Sequence, residues 1–541
     1  MVLRQSTSRR VLNCVVSGIA LSGLLARSPV RAELAVDQGT FVSPWSGLNL
    51  GLGNPAGSTS VNALAVSGSN LFAGGYFTSV CLDPTCGSSA LVNGIAVYNP
   101  ELGWSNLANG LSLAVFALAV SGNDLYVGGS LSGVCGSIIN CSNGQRDVNS
   151  VVRWDGSTWS TLGNGLSNIV YALAVSGNDL YAAGVFTEAC GNETCDNGNS
   201  PARHIARWNG SGWSGLGNGF DDDVYALAVD GGDVYAGGNF TQICGDEACS
   251  MGNTPANHVA KWNGSSWSAL GNGVNKLTRA AVNALAVSGT DLYVGGGFTE
   301  VCGNADCTSD NVTVNHIAKW NGSAWSGLRD GVDSDVYALA VNGSDLYVGG
   351  DLNVVCGNSA CNSVVNDPVY HVARWDGSFW WDLRYGVNSD VYALAVDSSY
   401  LYVGGAFTQT CATGGCTPGT TVNTIAKYSL PTPRVSPTPS AADTATPTLT
   451  ATPTPSATAA DTPTASATVT PTLVATSTRT PEAVVVGDCL GKGSVSIADL
   501  ITLVNIALGN QPSSACAHGI PAGKAVDIAL LIQAVNNALG A

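Results

Sequence analysis

Charge is scarce in this chain, and positive charge is scarcest. Of 541 residues only 11% are charged, and 21 Lys and Arg stand against 38 Asp and Glu. A chain so poor in cations repels the phosphates of nucleic acid and the headgroups of anionic membranes, so neither is an expected partner. Long apolar runs are missing as well: after residue 26 no segment could span a bilayer. Catalytic signatures are also lacking. There is no nucleophile motif, no HExxH and no phosphate-binding loop, so the expectation leans away from an enzyme. What is abundant is hydrophobic residues, at 45%, enough for a large core in a chain long enough for more than one module.

Residues 1–32 read as a signal peptide. Arg4, Arg9 and Arg10 precede an apolar stretch from Val11 to Ala26, and "SPVRA" places small residues for cleavage after Ala32. That stretch falls short of the roughly 20 residues a spanning anchor needs. "SRRVLN" partly resembles a twin-arginine export signal, so the export route stays open between the two. Loss of the leader leaves 16 basic against 38 acidic residues, a formal charge of −22. Secretion to the cell exterior, the cell surface or the periplasm is the expected destination.

An internal repeat dominates the remainder. Relatives of "NALAVSGSNLFAGGYFT" begin at Asn62, Phe116, Tyr171, Tyr225, Asn283, Tyr337 and Tyr392, spaced 54, 55, 54, 58, 54 and 55 residues apart. Each unit holds four strand-like segments, A to D. In the third unit they are residues 170–175, 179–186, 204–208 and 212–217. "SGND" joins A to B and "NGS" or "DGS" joins C to D, which reads as two tight antiparallel hairpins with two-residue turns. Strand A is apolar on both faces, as in a sheet sandwiched between neighbouring sheets. Seven four-stranded sheets about an axis make an all-β, seven-bladed β-propeller over residues 41–430. The seventh unit stops after its C strand at residues 424–430, and the chain opens, at "FVSPWSGLNLG", with what looks like a D strand. Trp45 and its neighbours are therefore expected to pair with "IAKY" and close the ring.

The form "LYVGGxFT…NxIAxWNGSxWSxLGxGV" resembles a bacterial family of exported propeller repeats, related in pattern to kelch-like propellers and to fungal cortical cell-polarity markers. The resemblance implies the propeller fold and a binding or surface-display role, without assigned chemistry.

Fourteen cysteines form one local pair per unit: Cys81 and Cys86, Cys135 and Cys141, Cys190 and Cys195, Cys244 and Cys249, Cys302 and Cys307, Cys356 and Cys361, Cys411 and Cys416. Cys489 and Cys516 make an eighth candidate pair. Disulfides suit an exported chain better than zinc, because no loop offers a third ligand. Each closed loop is short, so a bond contributes only about 2 kcal/mol on the chain-entropy model, and its expected role is to shape its own loop. His204, His258, His316 and His371 share one repeat position at the start of strand C. Spread round a ring they cannot meet on one ion, so they are expected to be structural. "WDGSTW" and "WNGSGW" resemble sialidase Asp boxes, but Arg153, Arg207 and Arg374 also share one repeat position and form no cluster. One face should carry all the disulfide loops together with the acidic D-to-A connections. Asp223, Asp335 and Asp390 stand just before the innermost strand, around the channel mouth, and are the candidate ligand-binding residues, for a cation or the hydroxyls of a sugar.

Residues 431–483 are a linker of Thr, Pro, Ser and Ala. Residues 484–541 contain a duplication at an offset of 31, with Ile497 and Ile528 each starting an amphipathic helical pattern. "GDCLGKGSVSIADLITLVNIALG" resembles a dockerin half. Its calcium loop keeps Asp488, Gly493 and Asp499 but has Leu490 and Lys492 where oxygens belong. Calcium takes six to eight oxygen ligands, so the loop is degenerate and no cofactor is expected. The resemblance implies a cohesin-like partner for this end. The other expected partner is an unidentified protein or glycan. The rival reading makes the chain an enzyme or component of extracellular polysaccharide degradation.

Overall fold

The computed structural model describes residues 30–31, 43–54, 58–137, 141, 146–275, 282–362, 367–411, 416, 419–430, 502 and 516. The chain divides into two units, Met1–Ser440 and Ala441–Ala541. The expected linker 431–483, all of the expected dockerin-like pair 484–541 except Thr502 and Cys516, and nearly all of the leader lie outside the described residues.

The described strands build an all-β unit of repeated four-stranded antiparallel sheets that resemble propeller blades. In the third repeat, strands A to D are Val170–Ser176, Asp179–Gly184, Ile205–Trp208 and Trp213–Gly215, hydrogen-bonded in that order. Among the described residues seven such sheets occur. Their A strands are Ser60–Ser67, Val115–Ser121, Val170–Ser176, Val224–Asp230, Ala284–Ser288, Val336–Asn342 and Val391–Val396. Each A strand packs on the next, and the seventh packs on the first. The sixth sheet gains a fifth, parallel strand, Val30–Arg31, beside Trp380 and Trp381, from within the expected leader.

The seventh sheet takes its D strand from the other end of the chain. Trp45–Gly47 runs antiparallel to Ile425–Ser429, with Trp45 opposite Tyr428 and Gly47 opposite Ala426. The seven residues after Trp45 also copy the route of a D-to-A connection. Leu52 pairs with Val80, just as Leu166 bridges Ala189 and Phe220 bridges Ile243 in later sheets.

Cores lie between the sheets. One cluster joins Trp45, Leu383, Val403 and Tyr428 to Tyr347 and Val372 of the sheet before, and another joins Leu48, Val61 and Leu71 to Tyr402 and Ile425. Two ring-wide devices set the sheet spacing. In six sheets the first glycine of a Gly-Gly or Gly-Gly-like pair in strand B receives an aliphatic knob of the next sheet. A Cβ at Gly74 would stand 2.4 Å from Cγ1 of Val115, and one at Gly349 would stand 2.4 Å from Cγ1 of Val391. Ala183 takes this place in the third sheet. The second device is an indole bond. The Trp of each D strand donates its Nε1–H to a leucine carbonyl of the preceding sheet, as Trp213 does to Leu162 (2.8 Å) and Trp267 to Leu216 (2.8 Å).

One expectation about the loops needs correction. The C–D connection is not a two-residue turn: Trp208 pairs with Trp213 across four residues, with Gly210 at φ 92°. Asn209 makes the tight corner by accepting from the N–H groups of Ser211 and Gly212, both at 3.0 Å. The A–B turn of the third sheet has the expected two residues, with the positive φ on Gly177. The B–C loops also contain a small hairpin that alternation did not reveal, Glu188–Ala189 with Ser200–Pro201 in the third sheet.

Candidate functional site

The site begins with a β-bulge. In strand A of the third sheet Val170 pairs with Gly184 and Ala172 with Ala183, so Tyr171 is an extra, unpaired residue. The bulge drives the backbone oxygen of the preceding residue against strand B. A Cβ at Gly184 would lie 2.0 Å from the Ile169 carbonyl, which is why that position is glycine. The same bulge recurs with Asn62, Phe116, Tyr225, Tyr337 and Tyr392 as the extra residue. Bulges re-aim side chains, and here they set aromatic rings side by side around the inner strands. Ring centroids are 5.3 Å apart for Phe116 and Tyr171, 5.2 Å for Tyr171 and Tyr225, and 5.7 Å for Tyr337 and Tyr392.

The candidate carboxylates stand two residues before these rings. Tyr225 donates its hydroxyl to Asp223 Oδ2 (3.2 Å) and Tyr392 donates to Asp390 Oδ2 (3.1 Å). Burial first, then the neighbouring carboxylates, pushes the phenols of Tyr337 and Tyr392 up to about 12, so both stay protonated. Burial, followed by the charge of Asp351, also raises the Asp390 carboxyl above its ordinary value.

The histidines and the aspartates, separate sets in the sequence, are brought together. Each candidate Asp faces the histidine of the preceding sheet: His204 Nδ1 is 3.4 Å from Asp223 Oδ1, His316 Nδ1 is 3.5 Å from Asp335 Oδ1, and His371 Nδ1 is 3.8 Å from Asp390 Oδ1. These histidines sit in the left-handed region, at φ 63°, 65° and 67°. Their Nδ1 atoms lie 3.1 to 3.2 Å from the carbonyls of Gly184, Gly296 and Gly350, the bulge glycine positions of their own sheets. The signal was available in the sequence, because each pair is separated by 19 positions. Asp351, which the sequence reading passed over, joins His371 and Asp390.

The inner carboxylates are confined to part of the ring. Ser60, Ala114 and Ile169 replace the aspartates in the first three sheets, and Tyr76, Ser130 and Val185 stand where the sixth sheet has Asp351. Tyr76 and Leu113, 50% and 59% exposed, line a cleft of about 410 Å³ between the first and second sheets.

The disulfide loops share this face. The seven local pairs are bonded as Cys81–Cys86, Cys135–Cys141, Cys190–Cys195, Cys244–Cys249, Cys302–Cys307, Cys356–Cys361 and Cys411–Cys416. Such pairs are compatible with an extracellular protein. Cys516 is buried, and Cys489 lies outside the described residues. The loops do more than keep their own shape. Carbonyls at Gly191 and Glu193 accept from Asn164 and Asn149 of the preceding sheet (2.9 and 3.0 Å), and the pattern repeats at Gly245 and Ala305. They are latches between sheets.

At the opposite end, Arg153, Arg207 and Arg374 each pair with an aspartate of strand B in their own sheet: Asp124, Asp179 and Asp345 at 2.9, 2.8 and 3.3 Å. The Asp-box-like residues cap their own loops, as when Asp155 accepts from the N–H groups of Ser157 and Thr158.

No family model matches this chain, and no curated protein matches it. Among solved structures it is similar to the WD40 β-propeller domain of Doa1, at 10% identity and TM-score 0.39, over 71% of this chain and 97% of that one. It is similar to a chain of the mitotic checkpoint complex, at 16% identity and TM-score 0.38 over 72% and 96%. It is also similar to YCF48 bound to D1 peptide, at 12% identity and TM-score 0.38 over 72% and 97%. Likenesses this distant leave the reading of the fold to the chain's own strand topology.

Proposed function

We propose that the chain is an exported seven-bladed β-propeller of kelch-like pattern that serves as a non-enzymatic binding or display module. The linker 431–483 joins it to the degenerate dockerin-like module 484–541, which would contact a cohesin-like partner. The observation that carries the binding role is the mouth. There two runs of aromatic residues, Phe116–Tyr171–Tyr225 and Tyr337–Tyr392, stand beside Asp223, Asp335 and Asp390, on a scaffold fixed by inter-sheet latches and flanked by an open cleft at Tyr76 and Leu113. Aromatic faces beside acceptor oxygens suit the C–H faces and hydroxyls of a sugar, and equally a cationic group.

The direct experiment screens the secreted chain and its Asp223→Asn, Asp335→Asn, Asp390→Asn triple variant against a panel of soluble oligosaccharides. Loss of binding in the triple variant supports the mouth, and retention moves the site to the disulfide loops. Product formation from any of the same oligosaccharides would replace the binding reading with polysaccharide degradation.

A further inference from the structure

We propose that Asp351, His371 and Asp390 form a binding site for one first-row divalent metal cation, such as Mn²⁺ or Zn²⁺, at the junction of the sixth and seventh sheets. One donor atom from each residue lies within 4.8 Å of the other two. Ligands around an ion with bonds of about 2.1 Å stand roughly 3 to 4 Å apart, so a small rotation of the side chains brings the three donors to one ion and leaves its remaining positions to water.

The three donors come from three separate segments whose backbones are hydrogen-bonded in place. Asp351 follows strand B of the sixth sheet, and its N–H donates to the Asp335 carbonyl at 3.0 Å. His371 opens strand C, and its N–H donates to Leu352 at 2.6 Å. The Asp390 carbonyl accepts from the Ala406 N–H at 3.0 Å. An outer shell orients the carboxylates: Tyr392 donates to Asp390 Oδ2 at 3.1 Å, and Ser334 donates to Asp351 Oδ2 at 3.3 Å. Such partners hold ligating carboxylates in a single orientation.

The repeat supplies its own comparison. Sheets three and five carry the same histidine, the same glycine carbonyl and the following aspartate, but Val185 and Gly297 stand where the sixth sheet has Asp351. The His–Asp pair therefore belongs to the fold, and the third donor is an addition made at one junction. Two carboxylates facing one another across an imidazole repel unless a cation lies between them. Without a bound cation the Gly350 carbonyl, 3.2 Å from His371 Nδ1, accepts a hydrogen bond from that nitrogen. When the cation binds through Nδ1 the imidazole carries its proton on Nε2 instead, and the Gly350 carbonyl gives up that hydrogen bond. Two oxygens and one imidazole favour a first-row divalent ion over calcium, which prefers an all-oxygen shell.

This inference rests on the mouth reading only through Asp390, and its test leaves Asp223 and Asp335 intact. The full secreted chain, stripped with EDTA, is titrated with Mn²⁺ and separately with Zn²⁺ by calorimetry, and its melting temperature is followed with and without metal. Expected are one saturable site and a melting temperature raised by the metal. Asp351→Val, which copies the third sheet, should weaken binding ten-fold or more and abolish the thermal shift, while His316→Asn leaves both unchanged. If Asp351→Val lowers the metal-free melting temperature, Asp351→Asn replaces it as the readout. Absence of saturable binding, or binding untouched by Asp351→Val or Asp351→Asn, overturns the site. Oligosaccharide binding that persists in Asp351→Val while metal binding is lost leaves the mouth reading standing alone.

Discussion

Trp45 donates its indole N–H to the carbonyl of Leu383, 2.5 Å away and 338 positions along the chain. It is the closing member of a cycle. Trp104 bonds to Leu48, Trp159 to Leu107, Trp213 to Leu162, Trp267 to Leu216, Trp325 to Leu270 and Trp380 to Leu328. The Trp45 ring also meets Tyr428 edge-on at 5.2 Å. Trp45→Phe, which removes one buried donor, should cost about 1 to 2 kcal/mol, and Trp45→Ala about 3 to 5 kcal/mol. Deleting residues 41–52 should lower the melting temperature further and expose the Ile425–Ser429 edge to dimerisation. A melt unchanged by the deletion would refute closure by this strand.

The disulfide latches give a second prediction. Replacing Cys190 and Cys195 with Ser releases a loop that accepts bonds from Asn164 and Asn149. About 2 kcal/mol should be lost from the chain-entropy effect alone, and up to about 1 kcal/mol more for each loosened inter-sheet bond. Asn164→Ala in the unaltered background tests the second part. If the two changes together cost no more than the cysteine replacement, the bonds and the disulfide act as one latch. Thiol titration of the denatured, unreduced protein should find none of the fourteen repeat cysteines free.

Sheet spacing is testable at Gly349. An alanine Cβ there would meet Val391 Cγ1 at 2.4 Å, so Gly349→Ala should destabilise by about 1 to 3 kcal/mol through overpacking, and Gly349→Val by more. Ala183 already occupies the equivalent place in the third sheet, and Ala183→Gly should cost only about 1 kcal/mol, the scale set by strand entropy. Chemical denaturation of the three variants decides the matter, and equal costs at both positions would remove the knob-and-hole explanation.

Asp376 supplies the pH dependence. Burial, its largest single influence, would raise the carboxyl, but the N–H groups of Ser378 (2.9 Å) and Phe379 (2.7 Å) and the Trp381 indole (2.7 Å) together hold it below the ordinary value. A native value below the unfolded one makes the carboxylate stabilising above about pH 4, and that contribution is lost as the pH falls through the depressed native value. Asp376→Asn keeps the acceptor for the backbone but faces Trp381 with a donor, so it should cost about 1 kcal/mol at pH 7. Melting curves of the two proteins should converge as the pH drops from 5 toward 2. Curves that stay parallel would show that this carboxylate does not drive the acid sensitivity.

Much of this was legible in the residues because strand structure is local. Alternation of side chains, a Gly in six of the seven A–B turns and the missing D strand after residue 430 all follow from neighbours along the chain, and they located the strands of each repeat and the Trp45 seam. The C–D turn was misread because Asn-Gly also serves a four-residue loop when the Asn side chain accepts from the backbone, and composition does not separate the two cases. The latching role of the disulfide loops left no mark in the sequence. Their acceptors are backbone carbonyls, which every residue carries, so only the placement of one loop against the next sheet discloses them.

The sequence alone determined the repeat, its strands, the cysteine pairs and the positions of Asp223, Asp335 and Asp390, since each depends on residues within one repeat or on plain periodicity. Only the tertiary structure decided what those residues face. His371 and Asp390 belong to different sheets, Asp351 lies on a third segment, and their meeting depends on how one sheet is set against the next. That relation comes from valine knobs in glycine holes and from the indole bonds. It is a property of packing, which no single repeat contains.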